Sequence, residues 1–495
     1  MARCELIRCT PESVGLSSRK LLEMVKKLES CGTEMHGLMV TRHGKVVLEG
    51  WWAPHTKDTI HICHSFGKSY VATAVGAACT DGLMSVEDRV ADLFRDDLKA
   101  FGVADEGNLS RLKVKHVLSM TNGMKVHALA GKDLVRNYLT TAVDFEPGSV
   151  FMYNTAGSCM LGEMVRRVTG RSVYDYMKER VFDPIGIDTD HLRWMTFEGG
   201  LHAAPGVAST TENNLRLGML YLQNGQWDGR QIIDPEWIKA ATVKQIDNHL
   251  CGYGYQLWMN SPPESFRFCG GHGQDCIMSR PQDIAVSITQ AGSEPHDTDA
   301  TLSIINEYLL TQPLPDVLPG DEAAQAELAA YMESRRVGCC ASRPLRAFAN
   351  DWEGRYNVVE GQFHLHPELR PFGNINVNAD FYTIPDPDVR TIDIRRVEEG
   401  FELVFNDSLT ILARLDGQWI PHFAQSAMPA YDQSCACAEV DFNELIIHHW
   451  FSQTCFKSRM ALRRCEDGLI RAQIRKERLH DDWPYIELSA VLEKV

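Results

Sequence analysis

No apolar run in the 495 residues approaches the roughly 18 that a membrane-spanning helix needs; the longest candidate, Val71 to Cys79, is half that and rich in Ala and Gly. Blocks of one charge sign are missing as well. The 50 Lys+Arg and 66 Asp+Glu give a net charge of −16, spread through mixed clusters such as Lys178-Glu179-Arg180 and Arg95-Asp96-Asp97. An acidic field repels phosphate backbones, so neither a nucleic acid nor a membrane is expected as a partner. Internal repeats and low-complexity tracts are absent, and 44% hydrophobic, 23% charged and 9% aromatic residues exclude a disordered or collagenous chain. Glu5 stands where a secretory signal would begin its apolar region, which predicts a cytoplasmic location.

Metal and cofactor signatures are equally sparse. The 15 cysteines are odd in number and scattered from Cys4 to Cys465, a usage that suits free thiols in a reducing compartment. Cys339-Cys340 and Cys435-x-Cys437 are the close pairs, and neither has a second Cys or His pair at zinc-finger spacing. His61-x-x-His64 lacks the glutamate of a zincin helix. Gly67-Lys68-Ser69 resembles the end of a P-loop, but Ile62 occupies the position of its first glycine. Gly252-Tyr253-Gly254-Tyr255 lacks dinucleotide-fingerprint spacing. The expectation is no metal and no cofactor.

What is present is a change of period along the chain. Leu21, Leu22, Val25 and Leu28 recur at helical spacing behind Ser17 or Ser18 as cap. Residues 36–41 and 45–50 flank His43-Gly44 as a hairpin. A helix over about Ser65 to Cys79 is small and apolar, hence buried. The region from about 85 to 245 reads as mainly helical, with a capping box at Ser85-Val86-Glu87-Asp88 and an N-terminus at Asp234-Pro235-Glu236. Strand signals return at Gly254–Trp258 and Ile284–Thr289, around the Gly-rich turn Gly270-Gly271-His272-Gly273. Strands at both ends predict that the termini of this unit meet in one sheet. Pro313, Pro315, Pro319 and Gly320 punctuate a linker before an Ala/Glu-rich helix over Asp321 to Arg336, and short strands follow from about Trp352. The predicted division is residues 1–312, a linker and helix over 313–345, and a β-rich unit over 346–495.

The informative chemistry is Ser65-Phe66-Gly67-Lys68 at the head of the buried helix. Residues three apart share a helix face, and a lysine kept from water is a proton acceptor for a serine hydroxyl. Ser17-Ser18-Arg19-Lys20 has the same spacing on a solvated helix, so the apolar context separates the two. A second element is the turn Glu146-Pro147-Gly148 leading through Tyr153-Asn154-Thr155 into a helix, which aims a phenol into a cleft if Tyr153 is not simply a core residue.

Together these elements resemble the serine β-lactamase and penicillin-binding-protein superfamily, in its branch of class C β-lactamases, D-aminopeptidases and carboxylesterases. Ser65-x-x-Lys68 looks like its first motif and Tyr153-Asn154-Thr155 its second. Val117 to Gly123, Pro184-Ile185-Gly186 and Trp227-Asp228-Gly229 are similar to recurring phrases of the branch. The likeness runs from about residue 10 to 312. It implies an α+β fold, an antiparallel sheet flanked by helices with an all-helical subdomain, here followed by a barrel-like β domain of lipocalin type. It implies acyl transfer through Ser65, with Lys68 and Tyr153 relaying the proton. The third motif, Lys-Thr-Gly, has its counterpart in His272-Gly273-Gln274, so His272, Gly273 and Thr155 would contact substrate, and a backbone N–H near Asp275 would join that of Ser65 in the oxyanion hole. The partner expected is a small-molecule or short-peptide ester or amide, with a second copy of the chain as a further option. The alternatives are a penicillin-interactive β-lactamase or D-alanyl peptidase, or a non-catalytic binding protein with the same fold.

Overall fold

The computed structural model describes residues 5–126, 133–197, 199–292, 298–338, 352–362, 364–365, 388–423, 433–440, 443–455, 457–476 and 486–495. The pair Cys339-Cys340 lies outside them.

The N-terminal helix α1 spans Ser18–Glu29, with the Ser17 hydroxyl accepting from the Lys20 N–H as its cap. It leads into the hairpin of strands β1 (Glu34–Arg42) and β2 (Lys45–Trp51). The order of the six-stranded sheet is β2, β1, then the strands Ile284–Ala291, Gln274–Ser279, Ser265–Gly270 and Trp258–Met259. All pairs are antiparallel, and β1 pairs with the strand of residues 284–291 in the register Leu38↔Ile288, Val40↔Val286. The two ends of the unit therefore meet at the middle of the sheet, as the sequence predicts.

Because side chains alternate across a strand, β1 feeds two cores. Leu38 and Val40 pack with Val25 and Leu28 of α1 and with Ile305. Met39 points to the other face and joins the core built on the helix α2, Gly67–Thr80. Burying each of Val25 and Leu28 completely stabilises the fold by about 1.5–3 kcal/mol. Every residue of α2 from Gly67 to Ala78 is buried, which explains its lack of a polar stripe. A β-carbon at Gly76 would lie 2.8 Å from the Trp237 ring, so this helix is small-residued because its neighbours come close.

Two expectations are corrected. Ser85–Asp88 is a turn closed by the Ser85 N–H on the Asp88 carboxylate (2.7 Å), and the helix starts only at Val90. The segment Gly254–Trp258 enters the sheet only at Trp258, because Gln256 adopts φ 56° and bonds helical elements: its side-chain amide donates to the carbonyls of Val117 and Leu118. The middle region also contains a small sheet, His61–Ile62, His202–Ser209 and Leu192–Thr196.

Beyond the helix Glu322–Glu333, strands between Gly354 and Lys494 form a nine-stranded closed barrel, with Pro421–Phe423 added beside Gln433–Val440. A short parallel pairing, Ala413↔Ala436 and Arg414↔Cys437, closes it. Phe401, Leu403, Ile447, Leu462 and Ile474 fill its interior. Cys437 is disulfide-bonded, a departure from the all-thiol expectation; Cys63, Cys159, Cys276 and Cys435 are free thiols. Among the described residues no helix is long and apolar enough to cross a membrane.

Candidate active site

The small sheet delivers the nucleophile turn. Strand His61–Ile62 pairs with His202–Ser209, the Cys63 N–H donates to the Val207 carbonyl (2.8 Å), and the 3-10 turn His64–Phe66 runs directly into α2. Gly67 is required there, since a β-carbon would lie 2.1 Å from the Ala204 carbonyl oxygen. Ser65 is half-buried at the head of this helix. One turn on, the Lys68 Nζ donates to Ser65 Oγ at 2.7 Å, and the lysine side chain is 1% exposed. Its Nζ also lies 4.8 Å from the centroid of the Tyr153 ring.

Tyr153 is held from two sides. Asn154 caps the helix Thr155–Thr169, its side-chain oxygen accepting from the Gly157 N–H at 2.9 Å. The Tyr153 ring stacks on Trp258 (5.9 Å, 26°) and meets Tyr253 edge-on. Thr155 is the first helical residue. Gln256 ties the three helical supports together, its carbonyl accepting from Ser69 Oγ (2.8 Å) and its side-chain oxygen from Ser158 Oγ (2.6 Å). Ser69 follows Lys68 and Ser158 follows Tyr153 by one turn or so, so Gln256 fixes the spacing of the two. Gln256 and Trp258 fall within the strand signal Gly254–Trp258 but belong to no catalytic motif, so no spacing announces them as site residues.

The strand end beside the serine differs from expectation. A β-carbon on Gly270 would lie 2.0 Å from the Cys63 carbonyl oxygen and 3.0 Å from the Phe66 nitrogen. Gly270, closing the strand Ser265–Gly270, is thus the glycine that lets the sheet approach the nucleophile turn. The strand end that meets the nucleophile turn is thus Phe268-Cys269-Gly270, four residues before the counterpart His272-Gly273-Gln274, and it carries no cation. His272 is buried at φ 62°, its Nδ1 donating to the Gly292 carbonyl (2.9 Å) and its ring 5.4 Å from that of His64. It faces His64, the neighbour of the serine. Gly273, at φ 89°, serves the turn, where a β-carbon would collide with Gln290.

Asp275 lies inside the sheet, on a strand paired on both sides, opposite Cys269 and Ile288. Its carboxyl is buried, and burial pushes its pKa up to about 6 against the pull of Arg267, whose Nε stands 3.9 Å away.

The barrel adds residues that no sequence spacing announced. Its turn after strand Glu444–Phe451 inserts beside the nucleophile turn: the Ile62 N–H donates to the Gln453 carbonyl (2.9 Å) and His55 Nε2 to that of Ser452 (2.6 Å). Trp450 is fully buried against stacked His36 and His55, and Lys457 bonds Glu34 at 2.6 Å.

The family model described as Beta-lactamase matches residues 25–307. Penicillin-binding protein 4 of Amycolatopsis lactamdurans is 29% identical over 140 residues, 27% of this chain and 36% of that protein. Lovastatin esterase of Penicillium rubens is 25% identical over 199 residues, 34% of this chain and 49% of that protein. The chain thus spans half or less of the length of these two relatives. In fold, a penicillin-binding protein homologue from Caulobacter crescentus superposes with a TM-score of 0.50 at 17% identity, covering 61% of this chain and 98% of that one.

Proposed function

The chain belongs to the beta-lactamase family, and on that premise we propose that it is a serine hydrolase cleaving an ester or amide of a small molecule or short peptide. The observation that carries this reading is the buried Lys68 Nζ bonded to Ser65 Oγ at 2.7 Å beneath the Tyr153 ring. In this reading Ser65 Oγ attacks the carbonyl carbon while Lys68 accepts the hydroxyl proton. The carbonyl oxygen, now an oxyanion, is held by the Ser65 N–H and a backbone N–H at the end of the strand closed by Gly270. Tyr153 passes the proton to the departing alcohol or amine. Water then attacks the acyl-enzyme and restores Ser65.

Substrate choice follows from what lines the strand end. Phe268-Cys269-Gly270 offers no cation to an anionic substrate group, and the net charge of −16 adds repulsion. A neutral ester, the bond that the name of the lovastatin-hydrolysing relative indicates for that protein, suits such a pocket better than a penicillin carboxylate. The test is intact-mass spectrometry of the full chain after a fluorophosphonate probe, p-nitrophenyl butyrate and benzylpenicillin, each in parallel with Ser65→Ala. A single adduct from the probe, lost in the variant, with turnover of the ester, is the expected result. No adduct on the wild-type protein, or equal labelling of the variant, would sink the proposal; capture of benzylpenicillin alone would move it to the penicillin-interactive reading.

A further inference from the structure

We propose that His64, His272 and Cys455 form a three-ligand site for a thiophilic divalent cation of the zinc type, joining the barrel to the nucleophile turn. One ligand atom from each, a ring nitrogen or the thiol sulfur, lies within 4.8 Å of the other two. Zinc holds imidazole nitrogen at about 2.0–2.1 Å and thiolate sulfur at about 2.3 Å, so rotations moving these atoms by about 1 Å close the set onto one ion. The donors are two imidazoles and a sulfur with no carboxylate, a set that selects zinc and its neighbours over magnesium or calcium.

Three independent features prepare the site. His64 and His272 both adopt the left-handed backbone conformation, at φ 49° and 62°, which is uncommon for residues bearing a β-carbon and marks positions where the fold enforces an orientation. The outcome is two rings 5.4 Å apart. Next, the Gly292 carbonyl can only accept, so His272 Nδ1, at 2.9 Å, must carry the proton. Nε2 then holds the lone pair, and the carbonyl–imidazole pair is the outer-shell support that metal-bound histidines use. Finally, Cys455 sits on a turn whose position is set by others: the Trp450 Nε1–H donates to the Thr454 carbonyl (2.9 Å), and the Ile62 N–H to the Gln453 carbonyl (2.9 Å). Ser452, Gln453 and Thr454 are buried, so the turn presents Cys455 rather than leaving it to wander.

The three ligands are separated by 208 and 183 positions, which is why no spacing in the sequence announces them. His64 and Cys455 are partly exposed, which gives the ion an entry path. With three protein ligands a tetrahedral shell keeps one position for water. Since His64 immediately precedes Ser65, the ion would fix the turn that presents the nucleophile and hold the barrel over it. This role is independent of whether Ser65 is catalytic.

The experiment uses the full chain, stripped with a chelator, then dialysed against Zn²⁺ or Co²⁺ and analysed by elemental mass spectrometry and absorption. The wild-type protein and Ser65→Ala should each retain about one equivalent, with a thiolate-to-cobalt charge-transfer band in the Co²⁺ form. Cys455→Ser and His272→Gln should lose the ion and the band, with affinity reduced at least about 100-fold, whereas Cys251→Ser, at an exposed thiol, should keep both. Zn²⁺ should also protect Cys455 of the wild-type protein from iodoacetamide, a readout that needs no variant to fold. Absence of a retained equivalent, full retention by Cys455→Ser, or alkylation of Cys455 unaffected by Zn²⁺ each overturns the proposal. Ion binding without Ser65 labelling would leave this site standing and remove the hydrolase reading; the converse would do the opposite.

Discussion

Substituting Gly270 by alanine isolates the approach of the sheet to the nucleophile turn. Gly270 has an ordinary extended backbone, φ −127°, so alanine introduces no conformational strain and acts only through its methyl group. That methyl would lie 2.0 Å from the Cys63 carbonyl oxygen, against a comfortable separation of roughly 3.5 Å, so strand and turn must part by about 1.5 Å. Both atoms it meets, the Cys63 oxygen and the Phe66 nitrogen, are backbone flanking Ser65, and no side chain can swing aside to absorb the change. Overpacking of this kind costs about 1–3 kcal/mol of stability, a shift of several degrees in Tm that leaves the chain folded. A displacement of about 1 Å at a nucleophile lowers kcat/KM by about 100-fold, equivalent to about 2.7 kcal/mol in the barrier. The assay is kcat/KM on p-nitrophenyl butyrate beside a thermal melt. Gly271→Ala is the matched control, because its methyl would meet only the His64 ring, at 3.8 Å. Equal activity in the two alanine variants would refute the close approach of the sheet to the nucleophile turn at Gly270.

Four further outcomes are expected. Lys68→Met should lower kcat on the same ester by about 10²–10⁴-fold, since the 2.7 Å bond to Ser65 Oγ disappears; wild-type turnover would remove the lysine from the mechanism. Tyr153→Phe keeps the ring stacked on Trp258, so Tm should hold while kcat falls over a similar range; a fall in Tm with unchanged kcat would make the tyrosine a packing residue. Trp450→Ala should destabilise the protein by about 3–5 kcal/mol, because the indole is fully buried between the barrel and His36 and His55; calorimetry showing no loss would mean that the barrel is not docked. His55 is pushed down to about 4 by burial, against the two carbonyls that face it. Its folded pKa lies below that of the unfolded chain, so above about pH 6.5 it makes no difference, and between about 6.5 and 4 the unfolded state binds a proton that the folded state refuses. Stability should fall by about 3 kcal/mol across that window from this group, and His55→Gln should flatten the Tm against pH curve; an unchanged slope would count against the buried neutral imidazole.

The parts legible in the sequence were those written in local patterns. The spacing of Ser65 and Lys68 with the small-residue helix behind them, the Ser17 cap, and the hairpin at His43-Gly44 all depend on neighbours within a few positions. The capping box misled because the Asp88 carboxylate accepts from the Ser85 N–H and the Ser85 hydroxyl from the Glu87 N–H, so a turn uses the side chains much as a helix start would. Gly254 to Trp258 alternates like a strand, but Gln256 satisfies its hydrogen bonds on helices 98 to 139 residues earlier in the chain. Gly270 was passed over for a related reason: His272-Gly273 looks like a polar motif, whereas the demand for glycine at 270 exists only once the Cys63 carbonyl is in place. The barrel turn at the site, nearly 400 residues from Ser65, was out of reach of any spacing argument.

The register that seats β1 against the strand of residues 284–291 also sets a schedule for synthesis. β1 gains β2 at once, but its other edge, from Gly37 opposite Thr289 to Arg42 opposite Ile284, waits for about 250 further residues. At about 5–20 residues per second that is about 12–50 s during which Leu38, Met39 and Val40 border an open row of N–H and C=O groups. Long-range pairing of this kind is slow to form even in a finished chain. The nascent protein therefore makes its nucleophile turn long before it has the strand that positions it, and limited proteolysis of chains stalled near residue 250 should find β1 accessible where the finished protein protects it.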